Sequence, residues 1–109
     1  MLRDKEYLAD ILESCKLAIS HTINVTKDDF LGDVKCQDAV IRRFEIIGEA
    51  ARRISDEMKT KYPEIPWFEM TGMRNAMIHE YDDVDMVIVW ETVQKDIPSL
   101  ISSIERLIS

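Results

Sequence analysis

Cys36-Gln37-Asp38-Ala39-Val40-Ile41-Arg42-Arg43-Phe44-Glu45-Ile46-Ile47-Gly48-Glu49-Ala50-Ala51-Arg52-Arg53-Ile54-Ser55-Asp56-Glu57-Met58 is the stretch that decides the fold. Cys36, Val40, Phe44, Ile47, Ala51, Ile54 and Met58 recur at steps of four and three, the spacing that lines one face of an α-helix. Polar residues fill the opposite face, so the stretch predicts an amphipathic helix of roughly six turns. Asp33 is a fair N-cap for it. The helix should stop before Pro63, because a proline pushes the residue ahead of it out of the helical region. Lys59 and Lys61 near that end suit the negative pole of the helix dipole.

The same period extends outward on both sides. Leu8, Ile11, Leu12, Cys15, Ala18, Ile19 and Ile23 predict a first helix from about Asp4 to Asn24. Thr26 to Asp33 breaks the pattern with turn-type residues. Beyond the central stretch, Pro63-Glu64-Ile65-Pro66 reads as a connector. Pro66 suits the first position of a short helix carrying Trp67 and Met70. Gly72 marks a bend there, and Met73, Ala76 and Met77 continue an apolar face toward Tyr81. Asp83 or Asp85 can cap the last helix, whose stripe is Met86, Trp90, Val93, Ile97, Leu100, Ile104 and Ile108. The phase survives Pro98, which predicts one kinked helix. The expected fold is all-α: an up-and-down four-helix bundle over residues 1–109 as one domain. It carries a short extra helix before the Met73–Tyr81 helix and a proline kink in the last one.

Composition narrows the function classes. Three glycines and three prolines are too few for an all-β chain of hairpins. A net charge of −7 argues against a bulk electrostatic binder of nucleic acid or anionic membrane, so any such contact needs a local basic patch. No run approaches 18 apolar residues and no signal peptide is expected, which points to a cytoplasmic protein without a membrane partner. Cys15 and Cys36 fall on apolar stripes and read as buried thiols. With two histidines, no HExxH, no CxxC and no EF-hand loop, no metal site is expected. His21, one position off the first apolar stripe, reads as a boundary residue.

Met73-Arg74-Asn75-Ala76-Met77-Ile78-His79-Glu80-Tyr81 concentrates the chemistry. Arg offers a planar cationic fork for phosphate oxygens, His moves protons near neutral pH, and Tyr adds a hydroxyl and a stacking surface. Those types suit phosphate-ester chemistry, although a polar run at a helix end is also how a solvated edge looks. Spacing adds a constraint. At about 100° per residue, Arg74 and Tyr81 nearly superpose on one face, whereas Arg74 and His79 diverge by about 140°. Either the helix end is irregular at His79 or a second surface completes the cleft. A two-fold dimer would bring two copies of both residues around one groove.

Arg74, four residues, His79, one residue, Tyr81 resembles the R-x4-H-x-Y pattern of the HepT-like toxins, a branch of the HEPN superfamily. Gln37 to Arg43, Ile46-Ile47-Gly48-Glu49-Ala50-Ala51, Ile65-Pro66-Trp67, Gly72-Met73-Arg74-Asn75, Val89-Trp90 and Ile97-Pro98 are similar to that family too. Asp82 departs from it, since many members carry an aromatic after the tyrosine. The resemblance implies a homodimeric, metal-independent endoribonuclease without a cofactor. It implies the toxin of a type VII-like toxin–antitoxin pair, whose antitoxin is a minimal nucleotidyltransferase. In this chain it makes Arg74 and His79 catalytic, Asn75 a support of the site, and Tyr81 the tyrosine that receives AMP.

Such an enzyme must hold RNA despite the acidic balance. Residues 42–61 contain six Lys/Arg against four Asp/Glu, while the remainder is strongly acidic. Arg42 and Arg53, eleven apart and close to one face, are the RNA-backbone candidates. The competing reading is that Glu49 and Arg53 form an ordinary i,i+4 surface pair. Glu80, Asp82, Asp83 and Asp85 crowd the other side of the motif. The alternative at the level of function is a non-catalytic nucleotide-binding or adaptor bundle working with a nucleotidyltransferase. A purely structural dimerisation bundle is the third class.

Overall fold

Helix ends show most directly how this chain is arranged. In a computed structural model that describes residues 3–79 and 84–108, with Ile78 and His79 by backbone alone, Asp33 caps α3 (Val34–Arg53) by accepting from Cys36 N at 3.1 Å. Asp85 caps α6 (Met86–Glu91) through Val87 N at 2.9 Å. Both caps fall where the sequence places them; Asp83 lies outside the described residues. The first helix, α1 (Asp4–Thr22), lies antiparallel to α3, as two contacts at opposite ends require. Asp4 accepts from Ser55 N and Oγ at 3.0 and 2.7 Å, and the Cys36 thiol donates to the His21 carbonyl at 3.4 Å.

Four long helical segments make the bundle: α1, α3, α5 (Trp67–His79), and α6 joined to α7 (Ile97–Ile108) by a π-helical turn over Thr92–Asp96. The central α3 packs against both α1 and α5, and α7 packs on α1. The buried core runs through all four, with Ile11, Cys15, Val40, Phe44, Ile47, Val93, Ile97 and Ile104 almost without exposure. Among the described residues no helix is long and apolar enough to cross a membrane.

Three expectations about local structure are corrected. The stretch from Thr26 is not only a turn: α2 (Lys27–Leu31) forms there, with the Thr26 side chain accepting from Asp29 N at 3.1 Å. Its Phe30 is fully buried and meets the Trp90 ring at 5.4 Å between centroids, a tertiary contact that the turn chemistry does not reveal. The long central helix does not reach Met58. It ends at Arg53, Ile54 turns extended, and Ser55 caps a separate α4 (Asp56–Lys61). The break is held from outside the helix, because Asp4 takes both the amide and the hydroxyl of Ser55. The short separate helix expected to carry Trp67 and Met70 does not form: Trp67 opens α5 itself, which continues as one helix through Gly72.

The last helix behaves as its proline requires. Pro98 has no amide to give to the preceding turn. The ladder widens ahead of it, with Ile97 N donating to Thr92 O in the wider π register. At the ends of the first and last stripes, Ile23 and Ile108 are 65% and 49% exposed, so each helix loses its apolar contact before the sequence pattern ends. Cys15 is buried, and burial alone pushes its thiol up to about 12; Cys36 is only partly buried.

Candidate active site

A glycine in the middle of a helix costs about 1 kcal/mol relative to alanine, so Gly48 needs a reason. The crossing of α3 and α5 supplies it. A Cβ at position 48 would collide with the Cβ of Arg74 and stand 2.7 Å from the Met70 carbonyl oxygen. The two helices touch backbone to backbone at this point, and Arg74 is delivered to the surface of α3.

The next residue of α3 receives it. Arg74 Nε lies 3.3 Å from Glu49 Oε2, while Arg74 Nη1 donates to Asn75 Oδ1 at 3.0 Å. Glu49 also accepts from Arg52 Nη2 at 2.8 Å and from Arg53 Nε at 2.9 Å, both on Oε1. Three guanidinium groups thus share one carboxylate. The hydrogen bonds from Arg52 and then Arg53 hold the Glu49 carboxyl down to about 2, so the cluster is charged throughout the neutral range.

This cluster borders an open groove of about 410 Å³ between α1, α3 and α5, whose lining includes Tyr7, Arg42, Glu49, Arg53 and Arg74. Arg42 is mostly exposed and only distantly paired, at 3.9 Å from Glu45. Asp10 and Glu45 line it too, so three arginines stand among three carboxylates, and its capacity for anions rests on the guanidinium forks rather than on a net positive charge. α3 contributes the guanidinium forks of Arg42 and Arg53, α5 that of Arg74, and α1 the aromatic ring of Tyr7. Among the described residues no group of three or more His, Cys, Asp or Glu is placed to hold a metal ion.

The structure therefore brings Arg74, Arg42 and Arg53 to one groove and sets Asn75 against Arg74. The backbone of α5 remains helical through His79. Tyr81, with Glu80 and Asp82, lies outside the described residues. The Glu49–Arg53 surface pair is present, so that ordinary reading is correct as far as it goes. It omits that the same carboxylate meets Arg74 across the helix crossing. Gly48, Glu49 and Tyr7 are the site residues that sequence reasoning missed. A lone glycine inside the cleanest amphipathic helix is the available signal, since it marks close backbone approach. Nothing in the sequence pairs Tyr7 with this groove.

Residues 11–107 match the family described as "Ribonuclease HepT-like". The chain is 48% identical to "Probable ribonuclease HepT" of Thermococcus cleftensis over 103 residues, covering 94% of each protein. It is 40% identical to "Putative RNase MJ1380" of Methanocaldococcus jannaschii, covering 93% of each. A third relative, "Putative RNase TTE0752" of Caldanaerobacter subterraneus, is 36% identical over 99% of this chain and 96% of its own. No solved structure matches this one.

Proposed function

The chain belongs to the ribonuclease HepT-like family, and from that premise we propose that it is a metal-independent endoribonuclease that cuts RNA in the Arg74 groove. The observation that carries this reading is the convergence of Arg42, Arg53 and Arg74 on one groove in an otherwise acidic chain. A phosphodiester backbone needs such a track, and only a local one is available here.

RNA supplies its own nucleophile. The 2′-oxygen bonds to the adjacent phosphorus, the bond from phosphorus to the 5′-oxygen breaks, and a 2′,3′-cyclic phosphate and a 5′-hydroxyl result. His79 moves the protons between the two oxygens, and Arg74 stabilises the charge that builds on phosphorus. Asn75 supports the Arg74 guanidinium. Arg42 and Arg53 hold flanking phosphates. In a regular helix, positions 74 and 79 point about 140° apart, and α5 is helical across both. This favours a homodimer in which a second copy completes each cleft, and a single HepT-like domain over 1–109 is its unit.

In the same reading the protein is a cytoplasmic toxin held in check by a minimal nucleotidyltransferase. That enzyme joins the phosphorus of AMP to the Tyr81 oxygen, and pyrophosphate leaves ATP. The added phosphate and nucleoside compete with RNA for the arginines, as phosphorylation does in other basic sites.

The decisive test is cleavage of single-stranded RNA by purified protein in the presence of a chelator. Wild type should cut, and His79→Ala should lose about 10²–10⁴ in rate while remaining folded. Cleavage that needs added metal, or that persists at the wild-type rate in His79→Ala, overturns the assignment.

A further inference from the structure

Resting on that ribonuclease reading, we propose that Glu49 is a positioning residue, which holds the Arg74 guanidinium in its cleavage geometry while occupying donors of the groove's arginines.

Arg74 reaches the groove on a long side chain that would otherwise sample many rotamers. Two contacts from different directions restrain it. Glu49 meets Nε from α3, and Asn75 accepts from Nη1 within α5. The restraint from α3 is stiff because Gly48 clamps the two helix backbones together one residue away, so the carboxylate is delivered by backbone contact. Asn75 travels with Arg74 on the same helix, whereas Glu49 is the contact that fixes the arginine relative to the opposite wall.

The second role follows from the carboxylate's other partners. Arg52 and Arg53 both donate to Glu49, and the bond from Arg53, which lines the groove, withholds a donor that would otherwise meet phosphate. Removing the negative charge should therefore do two opposite things. RNA should be held more tightly by a more positive groove, and the chemical step should slow because Arg74 is no longer aimed. Loss of fold would weaken both, and loss of a substrate-binding residue would raise KM; neither pattern gives tighter binding with slower cleavage.

The test uses the full chain as wild type, Glu49→Gln, Arg74→Ala and the double variant, with steady-state cleavage of a single-stranded RNA. Binding is measured in parallel on a DNA oligonucleotide of the same sequence, which lacks the 2′-hydroxyl. Glu49→Gln should lower kcat by about 10- to 100-fold, the scale of a misplacement near 1 Å. It should also lower KM and steepen the salt dependence of DNA binding by about 0.7 for one more phosphate contact. The double variant should be no slower than Arg74→Ala. Glu49→Asp, which keeps the charge and shortens the reach, should lower kcat without steepening the salt dependence, and it serves if Glu49→Gln does not fold. An unchanged kcat in both variants, or a double variant slowed by the product of the two effects, overturns the positioning role alone. A wild type that binds the oligonucleotide yet does not cut RNA overturns the ribonuclease reading and this inference together.

Discussion

α3 makes two kinds of contact, and they obey different rules. Along its apolar stripe, Val40, Phe44, Ile47, Ala51 and the adjoining Ile54 are buried by their own bulk, and the neighbouring helices stand off by the size of those side chains. At the edge of that stripe, Gly48 has no side chain, and α5 comes in until backbone meets Arg74 and Met70. The first contact stores stability and tolerates exchange among hydrophobes of similar volume. The second stores geometry. It places Arg74 against Glu49 with no slack for an added methyl group.

The largest effect should come from the stripe. Phe44 is about 1% exposed, and Phe44→Ala should cost about 3–5 kcal/mol in denaturant unfolding, by lost burial plus the cavity left behind. A cost under about 1.5 kcal/mol would mean that the stripe is not the main store of stability.

A smaller but more diagnostic effect is expected at the glycine. In an exposed helix interior Gly→Ala stabilises by up to about 1 kcal/mol. Gly72 sits in such a place on α5, where an added methyl group would meet nothing within 4 Å, and Gly72→Ala should follow that rule with cleavage retained. Gly48→Ala should reverse the sign, costing about 1–3 kcal/mol by overpacking, and should reduce cleavage even in the fraction that stays folded. Equal behaviour of the two variants would erase the distinction between the stripe and the crossing.

Acid should divide the two contacts by their carboxylates. Asp4, in the α1–α3 contact, is pushed up by burial and pulled down by the two bonds from Ser55 among other favourable contacts, and its carboxyl rests below the usual range. Glu49, at the crossing, is held down to about 2. A carboxylate depressed by folding contributes stability above its unfolded value and loses it as pH falls through the folded one. Thermal stability should therefore be level near neutrality and decline as pH drops from about 4.5 toward about 2. The Asp4→Asn and Glu49→Gln variants should each flatten part of that decline, and a decline of the same size in both variants as in wild type would show that other groups cause it.

The reach of sequence reasoning follows the range of the interactions. The apolar periods of α1, α3 and α7 are legible because each depends on residues three or four apart in the chain. The caps at Asp33 and Asp85 are legible for the same reason, since a cap bonds an amide two or three residues away. The break at Ile54–Ser55 is not, because its cause is Asp4, some fifty positions earlier. The continuity of α5 through Gly72 is hidden as well, because a glycine inside a helical pattern is ambiguous until packing decides it.

The candidate site divides along the same line. The order of residues is enough to establish an all-α chain and to single out Arg74 to Tyr81, whose residue types and spacing resemble those of the HepT-like family. It also marks the basic stretch carrying Arg42 and Arg53. Helix packing is what gives Arg42, Arg53 and Arg74 a common groove with Tyr7, and what lets Glu49 hold three arginines rather than one. Local spacing determines which face of a helix a residue occupies; which faces meet depends on how closely two helices can approach, and here the missing side chain of Gly48 sets that distance.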